Sequence, residues 1–389
     1  MNEVLERGPE IPAGTWEHDW VSSVVAKAEE FSGQPSRWNG KLYEQDGPIA
    51  GRCLPDGSMT ISREHVLDAA RPAYTPGHVL TADERTAAAG ATRMAVFQAR
   101  HSMSEVGDDS VPGATPIESL EDIALENARC DRFSRTYGDR IAESMTEQSL
   151  SVGAHGPAFP AYSAATDHLQ YTLGGATGLG HNQLGDLIDK TPRTQRLNAI
   201  ADRALDHQVG DLIPESHRAQ LREDLTGPLR RGLGGLTMTE LSELTHPGSK
   251  HKWGWDSAEW TEVEFTTNLG DIKEHYESWN AEHPGEEPPE LPDSVRERFV
   301  DREEEIQQIW ASKGWPAQQP VAGREQAYYE RLPDYGPLTD RDREIAKLQQ
   351  FLWSHTAPSQ RTDSAVDTSG RPDNVRQIGS ARKPDRGIE

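Results

Sequence analysis

His101 and Glu126 are the residues of this chain whose types and placement suggest chemistry. His101 closes the run Ala95-Val96-Phe97-Gln98-Ala99-Arg100-His101-Ser102, and Glu126 stands in Leu125-Glu126-Asn127-Ala128. An imidazole and a carboxylate brought together can pair with each other or serve a metal ion. Glu126 follows Ile123 by three residues and precedes Cys130 by four and Phe133 by seven, which puts it on the apolar stripe of its own helix. A carboxylate aimed at a core needs a partner, because an unpaired buried charge is costly or shifts its pKa until it is neutral. His101 or Arg100 would serve. Alternatively, the helix is rotated slightly and Glu126 pairs with a surface arginine such as Arg129.

Other groups carry weaker signals. Glu105, Asp108 and Asp109 offer oxygen ligands to a hard cation, but they lack the Gly and terminal Glu of an EF-hand loop and read as a solvated acidic loop. Gly174-Gly175-Ala176-Thr177-Gly178-Leu179-Gly180 is dense in glycine. It follows a helix-like segment and has no P-loop Lys, so a helix–helix turn is expected. His155, His168, His181, His207 and His217 show no ligand spacing. Cys53 and Cys130, the two cysteines present, form no CxxC pair and have no catalytic His signature beside them, so inert thiols are expected. In His251-Lys252-Trp253-Gly254-Trp255-Asp256 with Trp260, the aromatic side chains suit either a plug that closes a domain or a surface for a protein partner.

The elements that must position these residues are mostly helical. Trp20, Val21, Val24, Val25, Ala28 and Phe31 have helical spacing. Gly47–Cys53 and Ser58–Ser62 flank Pro55-Asp56-Gly57 and read as a β-hairpin, the one persuasive strand signal. Ser62 can cap a helix to about Arg71. Thr81 to Ser104 reads as a long Ala-rich helix with Thr81 as N-cap and Glu84 completing a capping box. Thr115-Pro116-Ile117-Glu118 reads as the start of the helix that carries Glu126 and runs through Phe133 or beyond. Further helices are expected over Ala161–Leu173, Gln183–Asp189, Thr194–Val209, Ser216–Leu225, Asp293–Trp310 and Asp340–Trp353. The fold class is therefore mainly α with one small hairpin. Segments 1–150, 151–245 and 246–356 read as successive helical units, and 357–389, poor in apolar residues, reads as a disordered tail.

The stretch from Gly47 to Phe133 resembles a zincin-like metallopeptidase domain of the kind found in actinobacterial polymorphic-toxin-like proteins. The resemblance continues more weakly to about Leu236. In that family a helix carries His-Glu-x-x-His, whose histidines chelate zinc while the glutamate polarises the bound water, and a later helix gives a third ligand. On this resemblance His101 matches the second histidine and Glu126 the third ligand. Phe97 stands at the first histidine and Gln98 at the catalytic glutamate. Phe cannot bind zinc, and an amide has no useful basicity, so the motif is degenerate and the resemblance implies a vestigial site.

Composition narrows the function classes. Lys and Arg number 40 against 64 Asp and Glu, a net charge of −24. That balance disfavours phosphate backbones and anionic lipid headgroups. Between Asp256 and Glu305 stand 17 acidic and 4 basic residues. No apolar run reaches the roughly 20 residues that span a bilayer, and the first residues lack the basic and apolar parts of a signal peptide, so a cytoplasmic protein is expected. The reading is of a non-catalytic binding or accessory protein, without cofactor, that works on a protein partner. The resemblance adds a toxin, effector or mobile-element setting. One alternative is a divergent metal-dependent hydrolase, with zinc as its metal, that uses His101 and Glu126 with further ligands the sequence does not identify, His155 and the Asp108/Asp109 pair being candidates. The other is a structural protein of a phage-like particle.

Overall fold

Local capping sets where the helices begin. The Thr15 hydroxyl accepts the His18 amide to start α1 (Trp16–Ser32), and Gly33 ends it in the left-handed conformation. Trp20, Val21, Val24, Val25 and Ala28 are buried along one stripe, as their spacing predicts. The computed structural model describes residues 7–45, 50–54, 56–146, 148–150, 156–241 and 247–312. The helix expected over Asp340–Trp353, the tail at 357–389, His155, Pro55 and Gly47 lie outside the described residues.

The β-structure is larger than one hairpin. Strands β1 (Glu10–Ile11), β2 (Leu42–Gln45), β3 (Gly51–Cys53) and β4 (Met59–Ser62) form a sheet of order β1-β2-β4-β3. β3 and β4 are the expected antiparallel pair, whereas β2 runs parallel to β4 and β1 antiparallel to β2. β1 and β2 are too short to show an alternating pattern. Every residue of β4 is buried, so the strand is covered on both faces. The Ser62 hydroxyl accepts the His65 amide and opens a π-turn, followed by α2 (Asp68–Ala70) and a 3-10 turn through Tyr74.

Helix α3 (Ala82–His101) starts with the predicted Thr81/Glu84 capping box, both of whose hydrogen bonds form. Helix α4 (Leu120–Met145) starts four residues later than Thr115-Pro116 suggests. Ser119 is its N-cap, and Glu118 sits at φ 63°. Tertiary contact overrides the local signal, because Thr115 donates its amide to the Thr194 carbonyl at 2.7 Å and the segment lies along residues 193–194 instead of coiling.

The remaining helices are α5 (Pro160–Thr172), α6 (Gly174–Thr177), α7 (His181–Lys190), α8 (Arg196–Gln208), α9 (Glu215–Gly234), α10 (Thr237–Leu241), α11 (Pro247–Glu282) and α12 (Asp293–Ser312). The glycine-dense run forms α6 and a left-handed Gly178, a turn between helices as expected. The 36-residue α11 was not foreseen at that length. It packs closely along α5 and α9, and a Cβ on Gly254 would stand 2.1 Å from the Ala161 carbonyl oxygen. Only glycine permits that approach.

Two large apolar clusters fill the interior. One joins α1, the sheet and one face of α3 through residues such as Val24, Ile61 and Val96. The other joins α5, α7, α8, α9, α11 and α12 through residues such as Tyr162, Leu205, Leu229 and Phe265. Both draw on α3 and α4: Phe97, Ala124 and Leu125 face the second cluster, whereas Ala99, Phe133 and Ile141 face the first. The described residues all belong to one compact unit. No described helix is long and apolar enough to cross a membrane.

Candidate functional site

The packing of α3 on α4 brings His101 and Glu126 into one neighbourhood. His101 is the last residue of α3, and Glu126 lies in the second turn of α4 with 1% of its surface exposed. After His101 the chain bends back through Ser104, whose hydroxyl donates to Glu126 Oε1 at 2.5 Å. Arg129 donates to Oε2 at 2.8 Å from the next turn of α4, and Arg196, at the start of α8, donates to the same oxygen at 2.5 Å. The Cys130 thiol lies 3.5 Å from Oε1.

Glu126 is thus buried, as its place on the apolar stripe predicts, but its partners differ from those expected. Neither His101 nor Arg100 holds it. Arg129 does, from a buried position instead of a surface one, and Arg196 joins it from a helix 70 residues away. Burial pushes the Glu126 carboxyl up, but Arg196, then Arg129 and Arg193, outweigh it and keep the group well below the ordinary carboxylate range.

These contacts belong to a wider array. Arg193 forms a two-pronged pair with Asp122, at 3.1 and 2.5 Å. Arg129 also pairs with Asp189, which Arg100 approaches to 3.2 Å. Arg100 donates to Gln34 and lies 5.4 Å over the Phe133 ring. Four guanidinium groups therefore interlock with Asp122, Glu126 and Asp189 between the two apolar clusters. Burial, then repulsion from Arg129, brings the Arg196 guanidinium down to about 10, still charged at neutral pH. The array ties α3, α4, α7 and α8 together with charge-assisted hydrogen bonds.

His101 remains beside this array without entering it. Among the described residues no hydrogen bond joins its ring to Glu126. Burial pushes the imidazole down to about 4, against the pull of Glu126, so it is neutral at pH 7. Phe97 is buried in the larger core, its ring 5.9 Å from that of Phe159. Gln98 is buried with its Nε2 lacking a hydrogen-bond partner among the described residues, while the Cys53 thiol approaches its backbone carbonyl at 3.2 Å. Burial pushes the Cys53 thiol up to about 12 and the Cys130 thiol well above its ordinary value, so neither is a ready nucleophile.

This donor set does not fit zinc. A zinc site takes three protein ligands as deprotonated or neutral donors. Here Phe97 offers none, and both Glu126 oxygens already receive cationic or hydroxyl hydrogens. Among the described residues no group of three His, Cys, Asp or Glu side chains is placed to share a metal ion. The acidic loop after His101 serves its own turn: Asp108 accepts the amide and hydroxyl of Ser110 at 2.9 and 2.7 Å. The loop is fastened to residues 193–194, with the Arg193 amide on the Glu105 carbonyl and the Thr194 amide on the Val106 carbonyl.

The tryptophan cluster divides. Trp253 is buried, Trp260 is half-buried, and Trp255 is 46% exposed on the outer face of α11. Trp255 meets His168 of α5 edge-on, with ring centres 4.1 Å apart.

The residues that sequence reasoning missed are Ser104, Asp122, Asp189, Arg193 and Arg196. A signal existed for one: Arg196 precedes Ile200 by four residues and Ala204 by eight, a charged side chain on an apolar stripe, the same pattern that marked Glu126. The chain matches no protein-family model, and comparison with curated proteins and with solved structures likewise yields no match.

Proposed function

We propose that this protein acts by binding a protein partner and not by catalysis, and that its Phe97–His101 segment and Glu126 are the remains of a metallopeptidase-like site turned to a structural use. The observation that supports this most is the state of Glu126: Arg129, Arg196 and Ser104 occupy both of its oxygens in a buried array. A carboxylate so held is a poor metal ligand, since binding a cation there would bring two positive guanidinium groups against it. It is a poor base for the same reason, because its proton affinity is suppressed. Among the described residues the neutral His101 beside it has no hydrogen-bond partner that would orient it for proton transfer.

The test is metal content and hydrolysis on one preparation. Purified full-length protein, dialysed against micromolar zinc without any affinity tag, should hold well under one equivalent and leave casein-derived peptides intact. One equivalent of zinc that disappears in H101A or E126Q would overturn the reading, as would peptide cleavage sensitive to either substitution.

A further inference from the structure

The outer face of α11 beside α5 combines features that a solvated helix face does not need. Trp255 and Val263 stand two turns apart and are 46% and 44% exposed. Glu259 and Glu262 lie between them on the same side, Glu259 one turn from Trp255. No described basic side chain forms an ion pair with Glu259 or Glu262, and Lys252 of this face is already taken by Asp256. Burial, then the neighbouring Glu259, pushes the Glu262 carboxyl up.

His168 gives a second, independent pointer. Its residue surface is 7% exposed, and neither ring nitrogen has a hydrogen-bond partner among the described residues. Buried polar atoms are otherwise almost always paired. The ring abuts Trp255 and lies within the field of Glu259. Both ring nitrogens are closed off from solvent, with the half-exposed Trp255 indole against the ring, so a donor reaches them only if that indole shifts.

We propose that this face takes an arginine side chain from a basic segment of a partner protein. The guanidinium is planar. It can lie against the exposed part of the Trp255 indole while its N–H groups point to the Glu259 carboxylate, and a shift of the indole on binding would open a His168 ring nitrogen to the same group, an arrangement that an ammonium on a flexible stem matches poorly. Charge complementarity selects the partner class. The chain carries −24 overall, and 17 acidic against 4 basic residues stand between Asp256 and Glu305, so a basic segment is drawn to this side of the protein. Val263 offers the apolar contact for a neighbouring side chain of that segment. The proposal rests on the binding-protein reading and names the partner's chemistry.

The experiment titrates the full chain by calorimetry with a capped Arg-Ser repeat peptide, its Lys-Ser counterpart and a Glu-Ser control. Saturable binding of the Arg peptide is expected, with the Lys peptide several-fold weaker and the Glu peptide inert. W255A should weaken the Arg peptide by about tenfold, in line with loss of a cation–π contact and its packing. E259Q/E262Q, at more exposed positions that leave the fold alone, should weaken it by at least as much. H168F should remove the preference for Arg over Lys while keeping the ring packing. Equal affinity for both cationic peptides, unaffected by W255A or by E259Q/E262Q, would show only diffuse attraction to an acidic protein and would overturn the proposal. Absence of any binding by a preparation free of zinc and of hydrolysis would also overturn it, and would leave the non-catalytic reading standing.

Discussion

At the scale of single residues, Glu126 is held by charges that were not adjacent in sequence. Removing its charge strands Arg196 in the interior and leaves Arg129 with Asp189 alone, and breaking such a buried pair costs about 3–5 kcal/mol. E126Q should therefore lower unfolding free energy by an amount in that range, read from urea denaturation with an unchanged slope. Replacing both partners as E126L/R196M should cost less than the sum of the single changes, because it removes a stranded charge as well as a bond. A loss under about 1 kcal/mol for E126Q would mean that the array is hydrated and that its short contacts contribute little. His101 makes a separate prediction. Its folded pKa, about 4, lies below the usual value near 6.5, so the unfolded chain binds its proton first as pH falls. Stability from this residue is full above pH 6.5 and is lost between 6.5 and 4, by at most about 3 kcal/mol. H101Q should flatten the stability profile in that window, and an unchanged profile would show that the imidazole is well solvated.

At the scale of elements, the backbone dictates more than the side chains at one crossing. The closest approach of α5 and α11 is at Gly254, where the obstacle to a Cβ is the Ala161 carbonyl at 2.1 Å, main chain that cannot rotate away. The same junction is pinned by Glu240, which accepts the Ala161 and Tyr162 amides at 2.7 and 3.0 Å and so caps the start of α5. G254A should push the helices apart and destabilise by about 1–3 kcal/mol or more, despite alanine's better helix propensity. A neutral or stabilising G254A in thermal melts would show that the crossing is looser than this. The elements also show how far the sequence could be read. α1 was legible from its apolar stripe and α3 from a cap that is local: Thr81 and Glu84 make their bonds within one turn. The start of α4 was not, because Thr115-Pro116 satisfies the same local grammar while a contact with Thr194 decides the outcome. The length of α11 was hidden by Gly248, Gly254 and Gly270, and by burial around much of its circumference, which leaves little contrast between faces. Glu126 could be read as buried from its own helix, but Arg196 could be matched to it only by noticing two opposite charges on separate apolar stripes.

At the scale of the whole molecule, composition suggested successive helical units, yet the cores do not break near residue 150. α3 and α4 each turn one face to the cluster around α1 and the sheet and another to the cluster around α5 and α8, and the arginine–carboxylate array lies between the two. Separating the halves would expose both the apolar faces of α4 and the charges of Glu126 and Arg196 at once. Such coupling predicts one cooperative transition. Unfolding followed by far-UV circular dichroism, which reports all helices, should coincide with unfolding followed by tryptophan fluorescence, which reports Trp20 in one cluster and Trp253 near the other. A lesion in one cluster should also be felt across the array. F159A removes a ring packed on Phe97 and Tyr162 and should cost about 3–5 kcal/mol, shifting both signals together to lower denaturant. If the fluorescence transition split in two, with only the later-numbered helices weakened by F159A, the halves would be independent domains and the buried array merely an interface between them.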